Sequence, residues 1–263
     1  MRIIVLLKRV PNTTEEELTL SRDGRSIREE QLAFALNEWD AYALEEAISL
    51  KESQGGSVTA ITIGPEEAKE VLRRALAMGA DEAVHLYDEA LQGSDGGTLA
   101  RILARFLNSR PFDLILTGVM ASDVADAQVG PALARMLKVP WATLVTRLEI
   151  VDGGLLIHRE LEGGWEERLK IPLPCLLTIQ TGINEPRYVS ILGIRKVRGI
   201  PISEQGLEKL GLEPQEVGEA GSLTRLVQLA LPPTTEGGEI LSGSLEEISD
   251  RIYALLREKG GVA

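Results

Sequence analysis

The chain has 263 residues, 44% of them apolar and only 4% aromatic, with 28 basic against 40 acidic side chains and a formal charge of −12. That length is enough for one large domain or two modest ones, and the acidic balance argues against nucleic-acid backbones and anionic membrane surfaces as main partners. A single cysteine, Cys175, excludes a disulfide framework and a multi-cysteine metal site. No apolar run approaches the ~20 residues of a membrane-spanning helix. The expectation is a protein of a reducing, soluble compartment, the cytoplasm. The opening MRIIVLLKRVP has too short an apolar run for a signal peptide and no small-residue cleavage site, so it reads as a buried first strand.

Residues 3–7 form a continuous β-branched and leucine run, suited to a strand buried on both faces. Residues 37–53 place Trp39, Ala43, Leu44, Ala47, Ile48 and Leu50 at helical spacing, with Asn37 as N-cap, Asp40 in an acidic first turn and Gly55-Gly56 as the stop. A strand over 57–63 is closed by Gly64-Pro65, and a helix over 66–78 ends at Gly79. Strands at 83–87, 113–117 and 142–151 then alternate with helices at 98–108 and 126–138. Such alternation implies an α/β fold with a doubly wound, mostly parallel sheet covered on both sides. At 155–160, 166–171 and 176–181 the period becomes strand-like throughout, with Gly163-Gly164 at a hairpin turn, so antiparallel strands extend the parallel core.

Beyond Gly182 the chain looks less compact. A helix is expected over 203–210, a Pro- and Gly-rich surface stretch over 213–239, and a last helix over 244–259 with Ser244 as cap, Glu247 in the capping box and Gly260 as stop. This is an extended C-terminal arm. Whether it wraps its own domain or a partner stays open.

The usual catalytic and phosphate-binding motifs are absent: no G-x-x-x-x-G-K-[ST], no G-x-G-x-x-G after the first strand, no C-x-x-C, H-E-x-x-H or G-x-S-x-G. His85 and His158 lie far apart in strand-like runs and read as structural; Cys175 reads as a small buried residue. In an open parallel sheet ligands bind beyond the carboxyl ends of the strands. Here those ends are Leu6-Leu7-Lys8, Ile63-Gly64-Pro65 and Thr117-Gly118. The third leads into VMASDVADAQVG, with Asp123, Asp126 and Gln128 gathered before a helix and Gly130 permitting close approach. Backbone N–H groups at a helix start suit a phosphate, a carboxylate such as Asp123 suits ribose hydroxyls, and Gln128 offers an amide donor. Two readings stand here side by side: nucleotide binding, and ordinary capping by Asp126. Residues 187–198 (RYVSILGIRKVR) carry four basic side chains and no acid, together with Val189, Ile191, Leu192, Ile194 and Val197. They read either as an exposed protein-docking loop or as a strand packed on the body with solvated basic ends.

Several of these stretches, in order, resemble one family. VLLKRVP (5–11), LNEWDAYALEEAISLKE (36–52), RALAMGAD (74–81), IHRELEGGWEERLKIPLPCLLT (157–178) and NEPRY (184–188) are similar to the β (small) subunit of electron transfer flavoprotein. The likeness runs from residue 1 to about 199, with a looser match through the last helix. It implies an adenine-nucleotide α-hydrolase-like, Rossmann-like fold divided into an α/β nucleotide-binding domain (1–182), a partner-recognition loop (183–202) and a C-terminal arm and helix packing on an α subunit (203–263). It also implies a heterodimer whose α subunit holds most of the FAD, while this chain binds AMP structurally through Leu6, Asn37, Ile63, Asp123, Ala127, Gln128 and Val129. The family more often has Asn and Thr where this chain has Ala127 and Val129, which leaves backbone N–H groups to hold the phosphate.

By the same resemblance Arg187, Tyr188, Ile191, Leu192, Ile194, Arg195 and Lys196 face acyl-CoA and related dehydrogenases of fatty acid oxidation, with Ile191-Leu192 standing where the family has Leu-Pro. Glu160 matches a glutamate that pairs with an arginine of the mobile flavin domain. Thr13 stands where some members place a tyrosine near the flavin. Electrons would pass on to a membrane quinone oxidoreductase, and this chain would be a carrier subunit without catalytic residues of its own, metal, nucleic acid or membrane insertion. The competing reading is a stand-alone adenylating or ATP-hydrolysing enzyme, or a nucleotide sensor, of the same fold. The enzyme would need a phosphate loop where this chain reads LLKRVPNTTEEE, whose glutamates repel a triphosphate.

Overall fold

The computed structural model describes residues 1–13, 18–30, 32–233 and 237–260, so the glutamate run at 15–17 lies outside the described residues. The chain forms two compact units, Met1–Gln228 and Leu229–Ala263. The first is organised around β1 (Arg2–Leu6), whose Ile3, Ile4, Val5 and Leu6 are all buried. Alternation along this strand sends Ile3 and Val5 to one core and Ile4 and Leu6 to the other. That is why the run is continuously apolar: each face meets a layer of helices.

The nine-stranded sheet has the order β11-β5-β4-β1-β6-β10-β7-β8-β9, built from β4 (Ser57–Ile63), β5 (Glu82–Leu86), β6 (Leu114–Gly118), β7 (Trp141–Val151), β8 (Gly154–Glu160), β9 (Glu166–Ile171), β10 (Cys175–Ile179) and β11 (Ser203–Gln205). Every pairing from β11 to β7 is parallel, and β7-β8-β9 is antiparallel. This is the mostly parallel α/β sheet with an antiparallel extension that the periodicities predict. The helices α1 (Glu38–Gln54) and α2 (Lys69–Met78) cover one face, and α3 (Gly96–Leu107) and α4 (Val129–Leu137) the other. The fully buried Ala43 and Ala47 bring α1 close to the sheet. Strand order reverses at β1: β4 and β5 lie to one side, β6 and β10 to the other, which opens a crevice beyond the ends of β1 and β6.

Several local expectations change. The first turn of the helix expected from 66 is a 3-10 turn, Glu66–Ala68, before α2. Helix α4 begins at Val129, not 126, because Ala125 and Ala127 take left-handed backbone conformations that a right-handed helix cannot include. The stretch 203–210 is not one helix. Residues 203–205 pair with Val84, His85 and Leu86 as the edge strand β11, and only α6 (Leu207–Leu210) is helical. Leu207, Leu210, Leu212 and Val217 then bury in the α3/α4 core, followed by the one-turn helix α7 (Gly218–Gly221), so the chain as far as Gln228 packs on its own body. The 187–198 stretch is neither loop nor strand at its centre but a short helix, α5 (Ile191–Lys196), started by Ser190, whose hydroxyl accepts from Gly193 N–H. A hairpin of β2 (Arg9–Pro11) and β3 (Phe34–Leu36), with Arg9 stacked over Phe34, was not anticipated.

His85 is buried, and its Nε2 lies 2.8 Å from the Gly64 carbonyl, which it holds at the end of β4. Cys175 is buried too, and burial pushes its thiol up to about 12, so it is an inert core residue. In the second unit α8 (Leu245–Glu258) has the expected reciprocal cap between Ser244 and Glu247. It carries Leu245, Ile252, Tyr253 and Leu256 exposed. No described helix is long and apolar enough to cross a membrane.

Gly118 closes β6 where α1 begins. A Cβ there would lie 2.5 Å from Asp40 Oδ1 and 2.6 Å from Trp39 Cβ. Gly118→Ala is therefore expected to lower unfolding free energy by about 1–3 kcal/mol, measured by urea denaturation; an unchanged midpoint would show that α1 and β6 do not meet this closely.

Candidate functional site

The crevice at the strand reversal is a cavity of about 330 Å³, within the range of small-ligand sites. Leu6, Ile61, Ile63, Leu99 and Leu103 give it an apolar floor, while Lys8, Gly118 and the 119–130 loop form its polar rim. Five of the seven residues assigned to a nucleotide meet here: Leu6, Ile63, Ala127, Gln128 and Val129 line the cavity. The other two stand just behind it. Asn37 donates from Nδ2 to the Met120 carbonyl (2.9 Å) and accepts from Ser122 N–H (3.2 Å), which fixes the start of the loop. It occupies the N-cap position of α1 without capping it, since its amide is used across the crevice instead. Asp123 pairs with Lys8 Nζ at 2.7 Å and so holds that lysine at the rim.

The start of α4 decides between the two readings of Asp126. The N-cap position is Gln128, and no side chain caps the helix. Asp126 is therefore not the cap, and Gln128, Val129 and Gly130, at a helix start whose N–H groups have no acceptor within the helix, line the cavity. Gly130 is required where it is, because a Cβ would lie 2.6 Å from Thr178 Cγ2. Gly96 at the start of α3 fits as tightly, with its Cβ position 2.8 Å from Asp126 Oδ2. An uncapped helix start above an apolar floor suits a ligand with one anionic group and one flat apolar group.

Three contributors escaped sequence reasoning. Asp40 lines the cavity and is 5% exposed; its carboxylate accepts from Lys8 N–H (2.8 Å) and Gly118 N–H (3.0 Å), joining the ends of β1 and β6. Its sequence signal, an acid in the first turn of a helix, pointed only to the helix dipole. Asp95-Gly96 was visible as a Ser-Asp-Gly-Gly cluster before α3 and went unused. Thr224 and Leu226, distant in sequence, had no local signal at all. Burial drives the Asp40 carboxyl up to about 7, against the lowering effect of the Lys8 and Gly118 N–H donors, the Asn37 amide and the Lys8 charge.

The remaining singled-out residues lie elsewhere. Arg187 is turned onto α1, bonded to the buried Glu45 (2.9 Å) and to Glu52 (2.7 Å). Tyr188, Ile191 and Leu192 are 87%, 71% and 67% exposed, and Arg195 and Lys196 are exposed beside them. Ile194 is half-buried, and the end of the segment is fastened to α2 by Arg73, which donates to the Val197 and Ile200 carbonyls. Glu160 is exposed at the end of β8, where it accepts from Gln180 Nε2 (3.0 Å); Gln180 in turn accepts from Trp39 Nε1 (3.0 Å). Thr13 is exposed.

Fold and cleft together define a doubly wound α/β protein with a ligand-sized crevice at its switch point and a separate basic, apolar segment on the α1/α2 face. Residues 25–209 match the family description "Electron transfer flavoprotein domain". The chain is 38% identical over its full length to the electron transfer flavoprotein subunit beta of Bacillus subtilis, covering all of that protein. It is 36% identical to the subunit of the same name from Methylophilus methylotrophus, over 99% of this chain and 100% of that protein. A third relative, the caffeyl-CoA reductase-Etf complex subunit CarD of Acetobacterium woodii, is 39% identical over 98% of this chain and 99% of its own. The chain belongs to the electron transfer flavoprotein family, as one of its β subunits.

Because the folded carboxyl of Asp40 binds its proton more tightly than the unfolded one, wild-type stability falls as pH rises from about 3.8 towards about 7. Asp40→Asn removes that dependence and leaves one of the two N–H donors unmatched. Its cost in chemical denaturation is expected to be greatest near the bottom of this window, to shrink up to about pH 7 and to stay level above. A cost independent of pH across this window would overturn the assignment.

Proposed function

We propose that this chain is the β subunit of a heterodimeric electron carrier, holding AMP as a structural ligand and supporting an FAD bound mainly by an α subunit. The observation that carries the AMP assignment is the uncapped start of α4 at a switch-point cavity of about 330 Å³. The phosphate would sit on the N–H groups of Gln128, Val129 and Gly130, and the adenine would lie over the floor of Leu6 and Ile63. Asn37 and Asp123 would act one step back, on the loop and on Lys8. Neither Ala127 nor Val129 supplies a polar side chain, so the backbone carries the contact.

In this reading the chain makes no bonds on a substrate. FAD supplies the redox chemistry when bound, and this subunit supplies the base, the AMP-filled cleft and a docking segment. That segment is 183–202: Tyr188, Ile191 and Leu192 would enter an apolar recess on an acyl-CoA or related dehydrogenase, with Arg195 and Lys196 at the rim and Ile194 and Arg187 fastening it to the body. Glu160 would pair reversibly with the mobile flavin domain, as an exposed and therefore weak ion pair. Of the stretch 203–263, the part from Leu229 onward would serve as an arm towards α, since the part before it packs on this chain's own body. Leu245, Ile252 and Leu256 on α8 recur at spacings of seven and four residues, as one face of a helix requires, and this exposed stripe suits a second chain. The electrons would continue to a membrane quinone oxidoreductase, with the carrier itself in the cytoplasm.

Co-expression with an α subunit tests the core of the proposal. The expected product is a yellow one-to-one complex that releases AMP on denaturation, identified by chromatography against a standard. A monomer that ignores α and hydrolyses ATP would overturn it, and release of a second FAD in place of AMP would overturn the ligand assignment. Ile191→Ala is expected to slow electron acceptance from a dehydrogenase severalfold, measured by stopped-flow flavin reduction, with AMP and FAD content unchanged. Loss of AMP in that variant would show the docking segment to be misplaced.

A further inference from the structure

One wall of the cavity comes from far along the chain. Thr224 and Leu226 line it, although the strands and helix starts that form the rest all precede residue 131. What places them is the Asp95 carboxylate. Its Oδ1 accepts from Thr98 N–H (2.8 Å) and so caps α3. Its Oδ2 accepts from Leu223 N–H (2.8 Å), Thr224 N–H (2.9 Å) and Thr224 Oγ1 (3.1 Å). Burial pulls this carboxyl upward, but the donors from Thr98, Thr224 and Leu223 outweigh it and hold it at about 2, so it is a charged acceptor throughout the neutral range.

The segment has a firm root and a light hold beyond it. Ser222 Oγ donates to the Gly218 carbonyl (2.6 Å) and accepts from Asp95 N–H (2.8 Å), while the Gly221 carbonyl accepts from Thr98 Oγ1 (3.0 Å) and Arg101 (3.2 Å). Past Thr224, among the described residues, Arg25 Nη2 donates to the Leu226 carbonyl at 3.2 Å. Leu223 is 94% exposed and Val227 82%. Apolar burial therefore contributes little to keeping this strap closed, and charge-assisted hydrogen bonds to one carboxylate dominate.

We propose that Asp95 is a positioning residue that latches residues 223–226 against the cleft, and that a bound nucleoside monophosphate leaves only when this latch opens. The inference rests on the nucleotide reading of the cleft given above. Asp95 would thereby set how long the nucleotide stays without supplying its phosphate contacts.

Asp95→Asn separates the two tasks of the carboxylate. Asparagine remains a good N-cap for α3, but its NH₂ faces the Leu223 and Thr224 N–H groups, where an acceptor is needed. Asp95→Ser gives a second variant that caps the helix and is too short to hold the strap. With the co-expressed complex, exchange of bound AMP against labelled AMP is followed alongside trypsin cleavage after Arg225, an exposed strap residue. Both variants are expected to accelerate both processes by about tenfold or more, since one charge-assisted hydrogen bond alone is worth that factor and three converge on Oδ2, with the thermal midpoint nearly unchanged. Faster cleavage with unchanged exchange would remove the strap from the exit route. Unchanged cleavage in both variants would show that Asp95 is no latch. A wild-type complex that retains no AMP would instead sink the nucleotide reading, and the present proposal with it.

Discussion

The structure depends on one carboxylate at the point where the sheet changes direction. A doubly wound sheet must separate its strand ends there, because the chain leaves β1 towards one face and β6 towards the other. Asp40 spans the gap by accepting Lys8 N–H from one side and Gly118 N–H from the other. Lys8 lies just past the end of β1 and Gly118 is the last residue of β6, and both donate to this one acceptor from outside the ladder. A buried, fully charged group in that place is costly, and the raised proton affinity of Asp40 expresses the cost. The crevice is thus bordered by a group that would prefer water, with Gly118 and Trp39 fitted tightly around it.

Around this brace, side chains do the positioning and backbone faces the ligand site. Asn37 gives its amide to the loop at 120 and 122, Lys8 is oriented by Asp123, and His85 secures the turn after β4. The cavity is lined by an apolar floor and by the start of α4, with Lys8, Asp40 and Asp95 at its polar edge. This division explains how Ala127 and Val129 can stand at a proposed phosphate site without polar atoms of their own.

The sheet was legible because its strands obey a simple rule. Ile3–Leu6 and Cys175–Ile179 are buried on both faces and apolar but for Thr178, whereas Glu166–Ile171 alternates, and buried parallel and half-exposed antiparallel strands differ in just this way. The strand-end argument reached Leu6, Ile63 and Gly118 for the same reason. What stayed hidden depends on contacts between distant residues. Ser203–Gln205 has only three residues and no alternation to show, and it becomes a strand because the edge of β5 offers Val84, His85 and Leu86 as partners. Asn37 has the identity of a cap, yet a carbonyl more than eighty residues away competes for its amide and wins. Thr224 reaches the cavity only because Asp95 holds it there.

The left-handed backbone at Ala125 and Ala127 shows how far the loop is imposed by its surroundings. Each alanine at φ 53 and 52 costs about 1–2 kcal/mol that a glycine, or in part an asparagine, would avoid. A loop with such residues keeps its shape only if both ends are fixed. One end is fixed by Asn37 and by the Ala125 N–H bond to the Ala121 carbonyl (2.8 Å); the other by Gly130, packed against Thr178 and Thr117. The helix entrance is therefore shaped before any ligand arrives. A preformed site loses less freedom on binding, so under the proposed nucleotide reading weak backbone contacts would suffice for retention, provided the open side were also closed. On that side Asp95 accepts from Leu223 and Thr224, so in the proposed reading the rigid loop and the latched strap would be two halves of one requirement.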